Sequence, residues 1–185
     1  MAGMLCELYY YWRRYDECVQ QADRIVQQFD PAYVRLPLLR KTVALIGAGR
    51  FADAEIAAQN YAKVSGTADA DSEALQAWLE TRGDKTTFEQ RYQRILDSHR
   101  GQYFSPYGQA AMYAAIGDKE KAFSELDSAY QQRITDLVSV KWDPVFDCIR
   151  SDPRYRNLLA RMGLRGRIIE FSADFLVNRC EADSA

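Results

Sequence analysis

The chain has 185 residues, a mass of 21.2 kDa and 48% hydrophobic residues, enough for one compact domain or a short repeat array with a real core. Its 24 basic residues nearly balance 26 acidic ones, leaving a formal charge of -2, so the chain as a whole carries no electrostatic footprint for nucleic acid. A single histidine, His99, and four scattered cysteines with no CxxC pair exclude most zinc frameworks and every mechanism that needs two histidines.

In chain order, apolar periodicity predicts helices over 3–13, 15–29, 35–47, 51–64, 72–82, 86–98, 105–116 and 119–132. Pro31, Pro37, Pro106, Pro144 and Pro153 each precede or open such a segment, and none interrupts one. Proline fits a first turn, whose N–H lacks an intrahelical acceptor, whereas in a helix interior it costs about 3 kcal/mol. Gly49, Gly83, Gly117 and Gly163 follow helical segments, where a left-handed turn favours a residue without a side chain. The polar stretch 64–71 is a loop with an expected N-cap at Asp71 or Ser72, and 99–102 ends a hairpin; neither reads as a domain linker.

Gly49, Gly83 and Gly117 are spaced by 34 residues, twice in succession, each between the end of one helix and the start of the next. One further period back, Arg13 stands in the glycine position, with a shift of two residues caused by the longer connection around Phe29-Asp30-Pro31. A period in the thirties with two helices per unit is the mark of an α-solenoid, where each hairpin hides its apolar face against its neighbours. The expected fold is therefore all-α: an α-α superhelix of about four hairpins over 1–132.

The unit from Ser105 to Gln132 carries Tyr113, Ala114, Gly117-Asp118, Ala122, Leu126 and Ala129 in aromatic, small and apolar slots, and it resembles the tetratricopeptide repeat family. Tyr15, Cys18 and Ile25, then Phe51, Ala54 and Tyr61, give looser versions. The third unit departs, since Phe88 and Ile95 stand where small residues are usual, so wider or tilted packing is expected there. The segment 133–164, with its Asp143-Pro144 and Asp152-Pro153 pairs, is similar to the capping segment of such arrays in bacterial multidomain transcriptional and signalling regulators. Those two pairs read as N-caps with proline in the first turn. Residues 165–185 lie beyond the resemblance; Ile168, Ile169, Phe171, Phe175 and Leu176 suggest a short amphipathic helix that folds back or pairs with a second copy, followed by a polar end.

The resemblance implies a non-enzymatic interaction module that binds a peptide or partner helix on the concave face lined by the first helix of each hairpin. The face residues are Glu7, Tyr10 and Tyr11, then Leu39, Arg40 and Val43, then Ala77 and Glu80, then Tyr107 and Ala111. Only Arg40 fits the basic pattern of repeats that clamp a terminal carboxylate, so chaperone-tail recognition is not expected. The tyrosines read equally as an aromatic groove and as core.

Arg150, Arg154, Arg156, Arg161, Arg165 and Arg167 face one acid, Asp152, within 18 residues, giving that segment +5. It reads either as a site for an anionic partner, the basis of an alternative role in effector sensing or nucleic-acid association, or as a solvated face, the reading favoured here. Gly47-Ala48-Gly49 follows a helix and sits on the repeat period, so it is not a dinucleotide turn. Asp97, Ser98 and His99 are consecutive on a helix and point in different directions, which excludes a catalytic line. No cofactor or metal is expected. The N-terminus lacks a basic leader and no stretch approaches the roughly 20 apolar residues of a membrane span; with cysteines that read as buried and reduced, a cytoplasmic location is the expectation.

Overall fold

The computed structural model describes residues 2–66, 69–82 and 84–164. All regular structure among them is helical, without a strand. The α-helices are α1 (Ala2–Tyr11), α2 (Tyr15–Gln28), α3 (Arg35–Gly47), α4 (Phe51–Ser65), α5 (Ala70–Thr81), α6 (Lys85–Ser98), α7 (Pro106–Ala115), α8 (Lys119–Gln131) and α9 (Pro153–Arg161). Short 3-10 segments lie at Pro31–Tyr33, Thr135–Lys141 and Pro144–Ile149. The chain divides into two compact units, 1–102 and 103–185. That division falls immediately after 99–102, which the sequence pattern marks as a hairpin end. The segment 165–185, with its amphipathic pattern, and Gly83 lie outside the described residues.

In the first unit each helix packs on the next, from α1 to α6, and α1 also packs on α3. No comparable contact joins α3 to α5. Small residues are fully buried where α2 and α4 face their neighbours: Cys18 and Ala22, then Ala54, Ala57 and Ala58. The third hairpin reverses the sizes, with Ala70, Ser72, Ala74 and Ala77 buried on α5 and the stacked rings of Phe88 and Tyr92 buried on α6, centroids 5.4 Å apart.

The turns follow the backbone rules that the sequence announces. Gly49 and Gly117 have φ of 73° and 75°, and Arg13 takes the same left-handed conformation at φ 56° in the degenerate first hairpin. In the third hairpin Arg82, at φ 53°, is the described left-handed residue. Gly47 serves a different need: a Cβ there would come within 2.7 Å of the Tyr15 ring, so its bareness lets α2 approach the end of α3. Helix α5 starts earlier than the Asp71 or Ser72 cap expected. Asp69 flanks it without capping, because its carboxylate accepts from Arg35 Nη2 at 3.1 Å.

In the second unit α7 and α8 bury Ala110, Ala114, Ala122 and Ala129 between them, and Leu126 fills the adjoining groove. The capping segment then closes this hairpin. Pro144–Ile149 packs on α7, α9 and Thr135–Lys141 pack on α8, and Phe146, Ile149, Tyr155, Leu158 and Leu159 complete the core. The first cap element is 3-10 rather than α-helical. Asp84, Asp118 and Asp152 each cap a helix through a side-chain oxygen, on the N–H of Thr87 (2.8 Å), Lys121 (3.1 Å) and Arg154 (2.9 Å), and they are spaced by 34 residues. The period thus continues into the cap.

Ala122 is fully buried between α7 and α8, so Ala122→Arg forces an unpaired charge into a helix contact and is expected to cost about 4 kcal/mol or more in chemical denaturation. The Asp152 carboxylate, held by the Arg154 guanidinium and N–H, is lowered to about 2. A depressed folded-state value stabilises above the unfolded carboxylate range near 4 and is lost as pH falls toward 2. Asp152→Ala should therefore lower Tm at pH 7, and the difference from wild type should vanish by about pH 2 in a circular-dichroism pH series.

Candidate interaction surface

Helices α1 and α3 bring four of the sequence-predicted face residues into one cluster. Arg40 on α3 donates to Glu7 Oε1 on α1 at 2.6 Å, and the same oxygen accepts from the Tyr11 hydroxyl at 2.9 Å. The guanidinium lies 5.5 Å from the ring centroids of both Tyr10 and Tyr11. Arg40 and Glu7 keep only 17% and 30% of their side-chain surface, so the pair is worth more than an exposed one. Leu39 and Val43 are half-buried beside Arg40 on α3.

Tyr10, expected on the exposed face, is only 5% exposed. It lies one turn from the fully buried Cys6, on the inward side of α1, and its ring centroid is 6.3 Å from that of Tyr15. Ala77 is likewise buried on α5, whereas Glu80 is exposed and pairs with Arg91. The aromatic stripe is therefore partly core and partly surface. A carboxylate already occupies Arg40, and an anionic partner group would have to displace Glu7.

Tyr107 in the second unit belongs to the cap junction. Its hydroxyl donates to Asp143 Oδ2 at 2.9 Å, and its ring meets Phe146 edge-on at 5.4 Å. Ala111 is half-buried on α7.

The arginine-rich segment is largely committed to intramolecular contacts. Arg150 donates from Nη1 to Lys141 O and to the Tyr155 hydroxyl, both at 2.6 Å, from Nη2 to Asp143 O at 3.1 Å, and from Nε to Asp147 at 2.5 Å. Tyr155 is fully buried and passes its own proton to Val140 O at 2.9 Å. Arg150 thus ties the 3-10 segments to α9. Arg154 bonds Glu120 at 2.8 Å and lies 4.3 Å from the Phe123 centroid; Arg161 bonds Asp127 at 2.6 Å and lies 4.3 Å from the Tyr130 centroid. Arg156 is exposed on α9. Arg165 and Arg167 lie outside the described residues.

One regularity escaped the sequence reading although the sequence contains it. Asp16–Arg50, Arg35–Asp69, Glu120–Arg154 and Asp127–Arg161 are ion pairs between residues 34 apart, and Cys148 Sγ donates to Ala114 O over the same interval at 3.2 Å. Opposite charges recurring at the repeat interval were the available signal. Burial pushes the thiols of Cys6 and Cys18 up to about 11 and about 12, with the neighbouring Cys6 adding to the effect at Cys18, so both are protonated core groups at neutral pH. His99 is buried at the end of α6, where its Nδ1 lies 3.0 Å from Ile95 O and its Nε2 3.5 Å from Glu73. No group of three or more metal-ligating side chains occurs among the described residues, and none of the described helices is long and apolar enough to cross a membrane.

No family model matches this chain, and neither a curated protein nor a solved structure matches it.

Glu7→Ala would leave the Arg40 guanidinium in its half-buried place without its carboxylate. The expected loss is about 2 kcal/mol in urea unfolding, and Glu7→Gln, which keeps an acceptor, should lose less.

Proposed function

We propose that the chain is a tetratricopeptide-like α-α superhelix acting as a protein-interaction module without chemistry of its own. The ion pairs between residues 34 apart carry this reading. When hairpins stack by one repeat, equivalent positions of successive repeats become neighbours, and opposite charges at the repeat interval then meet. The left-handed turns at Arg13, Gly49 and Gly117 and the buried small residues on α2, α4 and α8 support the same architecture. The aspartate caps at 84, 118 and 152 extend it into the terminal segment, where α9 follows α8 by one period.

The partner is a peptide or helix that docks on the face shared by α1 and α3. Tyr11, Leu39 and Val43 offer half-buried aromatic and aliphatic surface, and the Glu7–Arg40 pair fixes the two helices beneath it. A rigid aromatic beside a preorganised ion pair supplies contact area at little entropic cost. The arginine-rich end is the weaker candidate, because Arg150, Arg154 and Arg161 already answer acids and carbonyls of the chain itself.

Panning a random peptide library against the full chain tests the assignment. Recovered peptides should bind Tyr11→Ser and Val43→Glu at least about tenfold more weakly in calorimetry and bind the distant control Tyr103→Ser unchanged. Peptides indifferent to both face variants, or no enrichment at all, would reject the α1–α3 face as the docking site.

A further inference from the structure

Helix α1 reads AGMLCELYYY, and its only charged residue, Glu7, is neutralised by Arg40. A helix apolar around its whole circumference is the pattern of one covered on every side. Yet only one side is covered within the first unit. Cys6 and Tyr10 face inward, while Met4, Leu8 and Trp12 on the opposite side are 65%, 42% and 53% exposed. Trp12 continues the helical line, since its N–H bonds Leu8 O at 2.9 Å. Tyr33 and Leu36, also exposed, lie in the stretch that leads into α3, whose Pro37 is next to Gly3 of α1. Most of the large exposed hydrophobics among the described residues belong to this hairpin and its connection to the next.

We propose that this face is covered by a second copy of the chain, through antiparallel pairing of α1 with its counterpart about a two-fold axis. Residues spaced by four along one helix are self-complementary in that arrangement. Leu8 meets its own counterpart at the axis, and Met4 of each copy lies against Trp12 of the other, a contact that suits a polarisable thioether and an indole. No charge lies on the stripe, so bringing two like faces together incurs no repulsion there.

The opposite end of the chain argues against head-to-tail stacking. Helix α9 buries Tyr155, Leu158 and Leu159 and leaves Arg154, Arg156, Asn157 and Arg161 exposed. Seating the stripe on that surface would bury arginines, whereas the two-fold pairing buries apolar groups alone and closes. The stripe exposes on the order of 300 Å² per copy, and a stable dimer buries about 800 Å² per partner. The half-buried Leu5 and Tyr9 and the exposed Tyr33 and Leu36 must supply the rest, so the association is a reversible one of micromolar strength.

Sedimentation equilibrium of the full chain over a micromolar concentration series tests this. Wild type should pass from monomer to dimer, and Leu8→Glu should raise the dissociation constant at least about tenfold with unchanged helical circular dichroism. In a Cys180→Ser background under mild oxidant, Leu8→Cys should cross-link two chains, whereas Val138→Cys, at an exposed apolar site in the second unit, should not. A wild type that stays monomeric throughout the series, a dimer indifferent to Leu8→Glu, or a dimer abolished by removing 165–185 while Leu8→Cys fails to cross-link would overturn the proposal, the last pointing to the C-terminal segment.

Discussion

A helical hairpin has two apolar stripes and covers only one of them by its own pairing. The other must find a neighbour, and how closely the neighbour approaches depends on side-chain size at the contact. In the second unit Ala110 and Ala114 meet Ala122 and Ala129 with no large group between the backbones, and the large residues Phe123, Leu126, Phe146 and Tyr155 fill the spaces around that seam. In the first unit Cys18, Ala22, Ala54 and Ala58 do the same for α2 and α4. A small residue at the contact is the condition on which the hairpins, and hence the cap and surface they carry, depend.

The same spacing organises the charges. Where a residue and its equivalent one repeat later are neighbours, a carboxylate and a guanidinium at that interval pair across the packed helices. This is how Arg154 and Arg161 meet Glu120 and Asp127, and it explains why a segment with so strong a local positive charge is not an open cationic patch. Exposed pairs of this kind add little stability each. Arg150 is of another order, because its donors satisfy two carbonyls, a buried hydroxyl and a carboxylate, and it fixes the cap as a single body.

The surface on α1 and α3 joins aromatic rings to an ion pair that already holds its own guanidinium. Such a site favours shape and aromatic contact over capture of a free carboxylate, since any anion must compete with Glu7 at 2.6 Å. Tyr10 supports the ring array from below while Tyr11 presents the accessible edge, so two adjacent tyrosines serve opposite purposes.

Helix positions, turn glycines, aspartate caps and the repeat interval were legible because they are local: a proline, a glycine or an aspartate at a helix end acts within four residues whatever surrounds it. Ala122 and Ala129 as contact points were legible for the same reason, through period and size. The fates of Tyr10, Arg150 and Gly47 were not. Whether Tyr10 faces the core or solvent turns on which side of α1 meets α2 and α3, whether Arg150 is a patch or a tie depends on carbonyls freed by a 3-10 segment, and Gly47 is required by a ring from another helix. The sequence by itself determined an all-helical chain punctuated at a fixed interval. Only the tertiary structure decided which charges are spent inside and which aromatic edges remain for a partner, because burial and pairing belong to the neighbours a side chain acquires rather than to the side chain.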